Sequence, residues 1–548
     1  MNQATHGHSL DTRVEMCVAE IIGASRVAPP VMPIKPEIVG VRPSVTWTEL
    51  FWLTVLVIVS DVTLFRTHGF AGLAGFLAVA PGLTALCALV SRPHAVRWWI
   101  GGMLAVVVAR LVWSGSALSA IVGFALLVAW TLTLAGFCPY VVSTVVHASQ
   151  SVAAGFYRLV DYARFVGTLG PKLSSIAWLG ILLPIAAAVV FGFVFVLANP
   201  DLAESVWSGA ERFFTDLGQW LARASFPEVA FCVAVLWISA GLLRPCVIWP
   251  GTEGPAEPGP VGGAPSTLYA PFRNTLAVVI VLFAVYLVFE FESLWFRKFP
   301  PGFHYSGYAH RGAAWLTVAL ALASGLLSLI FRGATLHDPR LRVLKRLAWI
   351  WSAQNLVLAV AAFHRLYIYI GFNGLTRMRI VGMFGTASVV AGLLLVIWMI
   401  AHHRGSTWLV RRQLWALCVA VFVYSITPVD AIWVRYDVQR VLAGDPAPSV
   451  ELSVHAIDNE GVLFLLPLLD CENRVIREGV RAMLWERWNL AETRSRERGR
   501  RHWTVFQVVD RIVLHRLRSS KDRWSDCADA TRRENALQEF HKYAYQWY

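Results

Sequence analysis

The 548 residues are 56% hydrophobic and 15% charged, with a mean hydropathy of +0.55. That composition excludes an ordinary soluble protein and points to a membrane. The net charge of +13 lies almost wholly before residue 430, where it marks loops between apolar blocks, so no nucleic-acid partner is needed to explain it.

Residues 1–46 hold acids, Pro29, Pro30, Pro33, Pro36 and Pro43, and no sustained apolar core. They read as a disordered or loosely attached tail without a secretory signal pattern. Apolar blocks follow, each about the 20 residues that a helix rising about 1.5 Å per residue needs to cross about 30 Å of hydrocarbon. Lipid offers backbone groups no partners, so the blocks must be helices. The predicted fold class is all-α: a polytopic transmembrane helix bundle of about eleven spans with a C-terminal soluble helical tail. Spans are expected at 47–65, 70–90, 96–113, 117–137, 176–198, 228–249, 271–292, 309–331, 347–371, 380–401 and 413–428.

The first transmembrane group covers 47–250. Near 200–225 the pattern Leu202, Val206, Ala210, Phe213, Phe214, Leu217, Leu221, with acids opposite, predicts an interfacial helix. A Pro/Gly-rich linker at 251–268 (GTEGPAEPGPVGGAPST and Leu268) separates the first group from a second at 269–429. The tail at 430–548 is charged and mostly helical, with Val505, Phe506, Val509, Ile512, Val513 and Leu517 expected on one stripe. No repeat relates the two groups, which weakens an inverted-repeat transporter architecture.

Short basic loops mark the cytoplasmic side. The connector 332–346, with Arg332, Arg340, Arg342, Lys345 and Arg346, is expected inside. Alternation then puts Arg92/Arg97, Arg158/Arg164/Lys172 and the N-terminus inside. The acidic connector with Asp201, Glu204, Glu211 and Asp216, and the C-terminal tail, fall outside.

Ionisable groups within the blocks are costly and invite scrutiny. Asp61, Arg110, Glu290 and Glu292 lie near block ends, where snorkelling or pairing is the plain reading. His304 and His310 with Tyr305 and Tyr308 are expected in a polar loop, His402/His403 at an interface, and the run Arg494 to Arg501 on a solvated helix. That run also suits anionic lipid or an acidic partner. Cys87, Cys138, Cys232, Cys246 and Cys418 read as small apolar residues. No nucleophile, phosphate-loop or metal spacing appears, so no catalytic residue, cofactor or metal is assigned.

The stretch FHRLYIYIGFNGLTRMRI, Phe363 to Ile380, differs in kind. Arg365, Tyr369, Asn373, Thr376, Arg377 and Arg379 crowd the gap between two apolar blocks, with Gly371 and Gly374 permitting a sharp turn. Arg365 and Tyr369 share a helix face. Anchors, a polar cluster closing two spans together, and a ligand or ion site all fit this pattern. The structural cluster is the preferred reading, with Arg365 and Tyr369 bound to the ends of neighbouring helices or to the 430–440 segment.

RLYIYIGFNGLTRMR resembles the pattern Arg-x-x-Leu-Tyr-x-x-x-Tyr-Gly-Leu-Thr-x-x-Arg of a bacterial family of multi-pass membrane proteins, the domain of unknown function 4173, related to domain 4153. Arg365, Tyr369, Gly374, Leu375, Thr376 and Arg379 match; Asn373 stands where the family has Tyr, and Ile368 where it has Leu. HYSGYAHRGAAWL is similar through Tyr308, Ala309, Arg311 and Gly312. PVDAIWVRYDVQR is similar through Asp430, Ile432, Tyr436, Val438 and Arg440, with Asp437 in place of Asn. WERWNLAETR, Trp485 to Arg494, resembles a fourth segment. The likeness covers roughly 270–495 and implies a bacterial inner-membrane protein, with no activity and no catalytic residue to carry over.

The function expected is a non-enzymatic integral membrane protein, a scaffold, assembly or sensor component whose partners are the lipid bilayer and a protein bound through the C-terminal tail. The alternative is a transporter or channel for a small or lipid-like solute. A lipid-linked transferase would need converging acids, for which Glu290, Glu292 and Asp430 are the only candidates.

Overall fold

The computed structural model describes residues 37–38, 45–67, 69–87, 96–167, 225–244, 247–248, 268–292, 305–331, 339–402, 404, 406–498 and 503–547, with single positions at 184, 187, 188, 211 and 215. The span expected at 176–198, nearly all of the 200–225 helix with its acidic connector, the linker and most of the 1–46 tail lie outside these residues. So do the connectors 88–95 and 332–338, His304, His403 and positions 499–502 of the basic run.

Nine helices among the described residues are long and apolar enough to cross a membrane. They are α1 (Trp47–Ser60, continued as a π turn to Phe65), α2 (Phe70–Cys87), α3 (Val96–Trp113), α4 (Ala117–Leu134), α6 (Phe226–Leu243), α7 (Tyr269–Glu290), α9 (Leu341–Asn373), α10 (Arg377–Ala401) and α11 (Ser406–Ile426). The chain is a multi-pass membrane protein. Among the described residues a further, shorter apolar stretch, Ala314–Ile330, lies within α8 (Tyr305–Ile330). The polar loop expected around His310 is therefore helical from Tyr305, because the breakers Pro300, Pro301 and Gly302 stop just before it. Among the described residues the one departure from all-α is a two-residue antiparallel ladder, Glu37–Ile38 on Val247–Ile248.

Local chemistry sets several starts. Thr46 and Ser116 sit in extended backbone and accept N–H bonds from Glu49 and Ser119, capping α1 and α4. The helix ends gather on two faces. On one, Arg66 after α1 bonds Glu228 in the first turn of α6, and the Ser119 hydroxyl in α4 donates to the Ser425 carbonyl at the end of α11, 2.9 Å away. On the other, Glu49 in the first turn of α1 receives Arg244 from the end of α6 and the hydroxyl of Tyr162.

Tyr162 belongs to α5 (Val141–Gly167), which the sequence reading did not assign as an element. It lies across this second face: Phe165 packs on Trp47, and Trp237 of α6 donates its indole N–H to the Val152 carbonyl at 2.8 Å. Val142, Val145, Val152, Phe156 and Tyr157 are exposed, the pattern of a helix lying in the interface. The apolar spacing from Val142 to Phe156 was the available signal.

The C-terminal region caps the first face. It comprises α12 (Val429–Leu442), α13 (Ser449–Val454), α14 (Asn459–Val462), α15 (Arg474–Arg498), α16 (Val508–Ser519) and α17 (Ala530–Tyr545), with 3-10 turns at Leu463–Asp470, Trp503–Val505 and Lys521–Ala528. One apolar core unites Trp433, Leu468, Val480, Leu517, Trp524 and Phe540 with Ile370, Leu375 and Ile380 of the bundle. Burying each such large side chain stabilises by about 1.5–3 kcal/mol. The expected stripe is partly corrected: α16 starts at Val508, so Val509, Val513, Leu514 and Leu517 face the core, while Phe506 and Ile512 are exposed. The N-terminal start of α1 and this domain thus stand at opposite ends of the bundle.

Candidate functional site

The turn between α9 and α10 is where bundle and C-terminal domain meet, and its construction follows from its residues. Gly374 ends α9 with φ +95, a left-handed conformation natural to glycine. Its N–H bonds the Ile370 carbonyl at 2.9 Å. Two residues on, Thr376 in extended backbone accepts the Arg379 N–H at 3.3 Å and caps α10. Between stop and start, the N–H of Leu375 has no helical partner.

α12 supplies one. Asp437 accepts that N–H through Oδ1 at 2.7 Å. Three residues along the same helix, Arg440 donates to the Ile370 and Gly371 carbonyls at 2.7 and 2.6 Å. Cations at a helix C-terminus are favoured by its orphan carbonyls and its dipole. Arg440 also pairs with Asp445, and its guanidinium lies 5.9 Å from the Tyr436 ring.

Two further ion pairs join the parts. Arg377 grips Asp430 with two nitrogens and reaches Asp458 at 2.8 Å; Asp430 also accepts the Trp433 indole N–H at 3.0 Å and the Asp458 N–H at 2.6 Å. Arg379 bonds Glu451 at 2.7 Å and the Gly374 carbonyl, and stacks on the Tyr369 ring at 3.9 Å. His455 contacts the other oxygen of Glu451 at 2.9 Å. The chain terminus returns here too: Asn373 donates to the Trp547 carbonyl at 2.9 Å.

Asp437 has no exposed surface, and its Oδ2 has no hydrogen-bond partner. Burial pushes its carboxyl up to about 8, assisted by Glu451 and opposed by the Leu375 N–H, Arg379 and Arg440. A neutral acid therefore closes the turn near neutral pH.

Of the predicted residues, Tyr369, Asn373, Thr376, Arg379, Asp430, Tyr436 and Arg440 converge on this joint. Arg365 lies two turns deeper in α9 and pairs with Glu290 at the end of α7. Tyr308 and Arg311 fall in the first turns of α8, where only the helical backbone is described. Sequence reasoning did not single out Glu451, Asp458 or Asp437 as partners, nor Glu460, which binds Arg110 of α3 with both oxygens. Asp437 carried one signal, its departure from the family pattern. Among the described residues no group of three or more His, Cys, Asp or Glu side chains could hold a metal. Apart from the Oδ2 of Asp437, the described charges at the joint meet opposite charges or backbone groups, an arrangement able to hold helices together.

A family model described as Domain of unknown function (DUF4153) matches residues 83–460, from the end of α2 into the start of α14, and covers the joint's ion pairs but not Trp547. No curated protein and no solved structure matches the chain.

Proposed function

The chain belongs to the family of the domain of unknown function DUF4153, and from that premise we propose that it is a bacterial inner-membrane scaffold, assembly or sensor component, without catalysis of its own, that holds a helical domain firmly against the outer face of the membrane. One observation carries the reading: Arg377 and Arg379 of α10 bind acids on α12, on α13 and in the loop before α14, while Arg440 of α12 binds the backbone at the end of α9. Such pairs rigidify a joint. A transport path would instead keep cations open to water, whereas the Arg365 guanidinium is closed onto Glu290.

The orientation rests on charge. The face opposite the C-terminal domain carries Arg158, Arg164, Arg340, Arg342, Arg346 and Arg411, which supports a cytoplasmic N-terminus and an external C-terminal domain. The motif residues around Arg365, Asp430 and Tyr436 support a likeness to the related domain 4173 as well. A protein partner is proposed for the exposed side of the C-terminal domain.

Asp430→Asn tests the joint. Limited proteolysis of membranes should release fragments of the C-terminal domain from the variant far faster than from wild type. Unchanged protection, together with loss of a solute-uptake phenotype, overturns the scaffold reading in favour of transport.

A further inference from the structure

A cleft of about 450 Å³ lies between α15 and the 503–519 segment, outside the joint. Arg487 and Arg494, two helical turns apart on α15, line one wall, and Arg511 of α16 lines the other. None of the three has a carboxylate within ion-pair distance among the described residues, in contrast to neighbours such as Arg518, bound to Glu492 at 2.9 Å. The cleft's one acid, Asp510, is engaged by the amide of Asn459 at 2.5 Å. Three arginines against one aspartate leave the lining of this opening net cationic among the described residues.

The rim is apolar and aromatic: Trp503, Phe506 and Leu490 are exposed there. It also touches the bundle. The Trp503 ring lies against Gly75 in the second turn of α2, where an added Cβ would stand 3.4 Å from it, and the Thr504 carbonyl meets Gly69 just before that helix. Glu460, beside Asn459, is tied to Arg110 at the end of α3. The opening is thus held at the level where α2 and α3 reach the membrane surface. Tryptophan favours that layer, and guanidinium forks suit phosphate oxygens.

We infer that this cleft binds the phosphate headgroup of an anionic amphiphile, with Arg487, Arg494 and Arg511 on the phosphate and Trp503 and Phe506 against the start of its apolar chain. This goes beyond the scaffold reading and does not depend on it.

The test titrates the full-length protein in neutral detergent with short-chain phosphatidylglycerol, short-chain phosphatidylcholine or glycerol phosphate, reading affinity from thermal unfolding. Phosphatidylglycerol is expected to bind saturably and phosphatidylcholine not. The triple variant R487Q/R494Q/R511Q should bind on the order of 100-fold more weakly, and R494Q alone about fivefold, given about one arginine-headgroup attraction lost per site. R516Q, on α16 outside the cleft, should bind as wild type does. If the triple variant fails to fold, R494Q carries the test. Unaltered affinity in the arginine variants overturns the inference. Binding of glycerol phosphate as tight as that of the lipid overturns a membrane source for the phosphate.

Discussion

Arg365 of α9 and Glu290 of α7 meet across 75 positions of chain, Nε to Oε1 at 2.7 Å with a second bond alongside. Their side chains are 4% and 1% exposed, and Tyr286 adds a hydroxyl bond to Glu290 at 2.9 Å. Neither charge has water to fall back on, so the pair commits two helices to one relative position.

Removing one partner leaves the other charge buried and unpaired, which costs about 3–5 kcal/mol. Arg365→Ala should therefore lower the melting temperature and folded yield in detergent markedly. The double variant with Glu290→Leu and Arg365→Met should recover much of the loss, since an apolar pair is tolerated there. A single variant that melts like wild type contradicts the buried pair.

Gly374 and Gly444 separate backbone strain from crowding. Both have positive φ, +95 and +96, but an added Cβ at Gly374 would lie 2.6 Å from the Asp437 carboxylate, while at Gly444 it meets open space. Gly444→Ala should cost only the left-handed strain, about 1–2 kcal/mol. Gly374→Ala should cost more, because Asp437 must move and release the Leu375 N–H. Equal losses in a chemical or thermal melt would show that the contact carries no energy.

Asp437 makes stability depend on pH. Its folded value, about 8, lies above the roughly 3.9 of an unfolded aspartate, so the folded state keeps a proton that the unfolded state gives up. The site's contribution is complete below about pH 4 and is lost as pH rises through about 8. Asp437→Asn keeps the acceptor for Leu375 without the proton and should flatten this part of the pH profile, melting several degrees above wild type near the alkaline end. Parallel profiles for the two proteins would rule out a buried neutral acid.

The side of the C-terminal domain is directly measurable. Fusions after Arg440 should give active alkaline phosphatase and a dark fluorescent protein, as an external location requires. Fluorescence without phosphatase activity would reverse the orientation drawn from the basic loops.

Lengths and positions of the apolar blocks determined the class of fold, because a bilayer demands a helix of about 20 residues wherever the backbone crosses it. The spans from 47–65 to 117–137 and from 347–371 to 413–428 were legible for that reason, and α5 was missed because an amphipathic interfacial helix lacks such a block. The Phe363–Ile380 stretch announced itself as polar among apolar neighbours, and Gly374 and Thr376 announced the turn. What each charge binds was not legible. Arg365 meets Glu290, Arg377 meets Asp430, Arg379 meets Glu451 and Arg110 meets Glu460 across distances of chain that no local periodicity spans. Helix propensity and hydrophobicity act over a turn or a bilayer crossing, whereas ion pairs form wherever packing brings two desolvated groups within reach. Only the tertiary arrangement could decide that the first of these pairs locks two bundle helices while the other three join bundle to domain, and that the three arginines of the neighbouring cleft do neither.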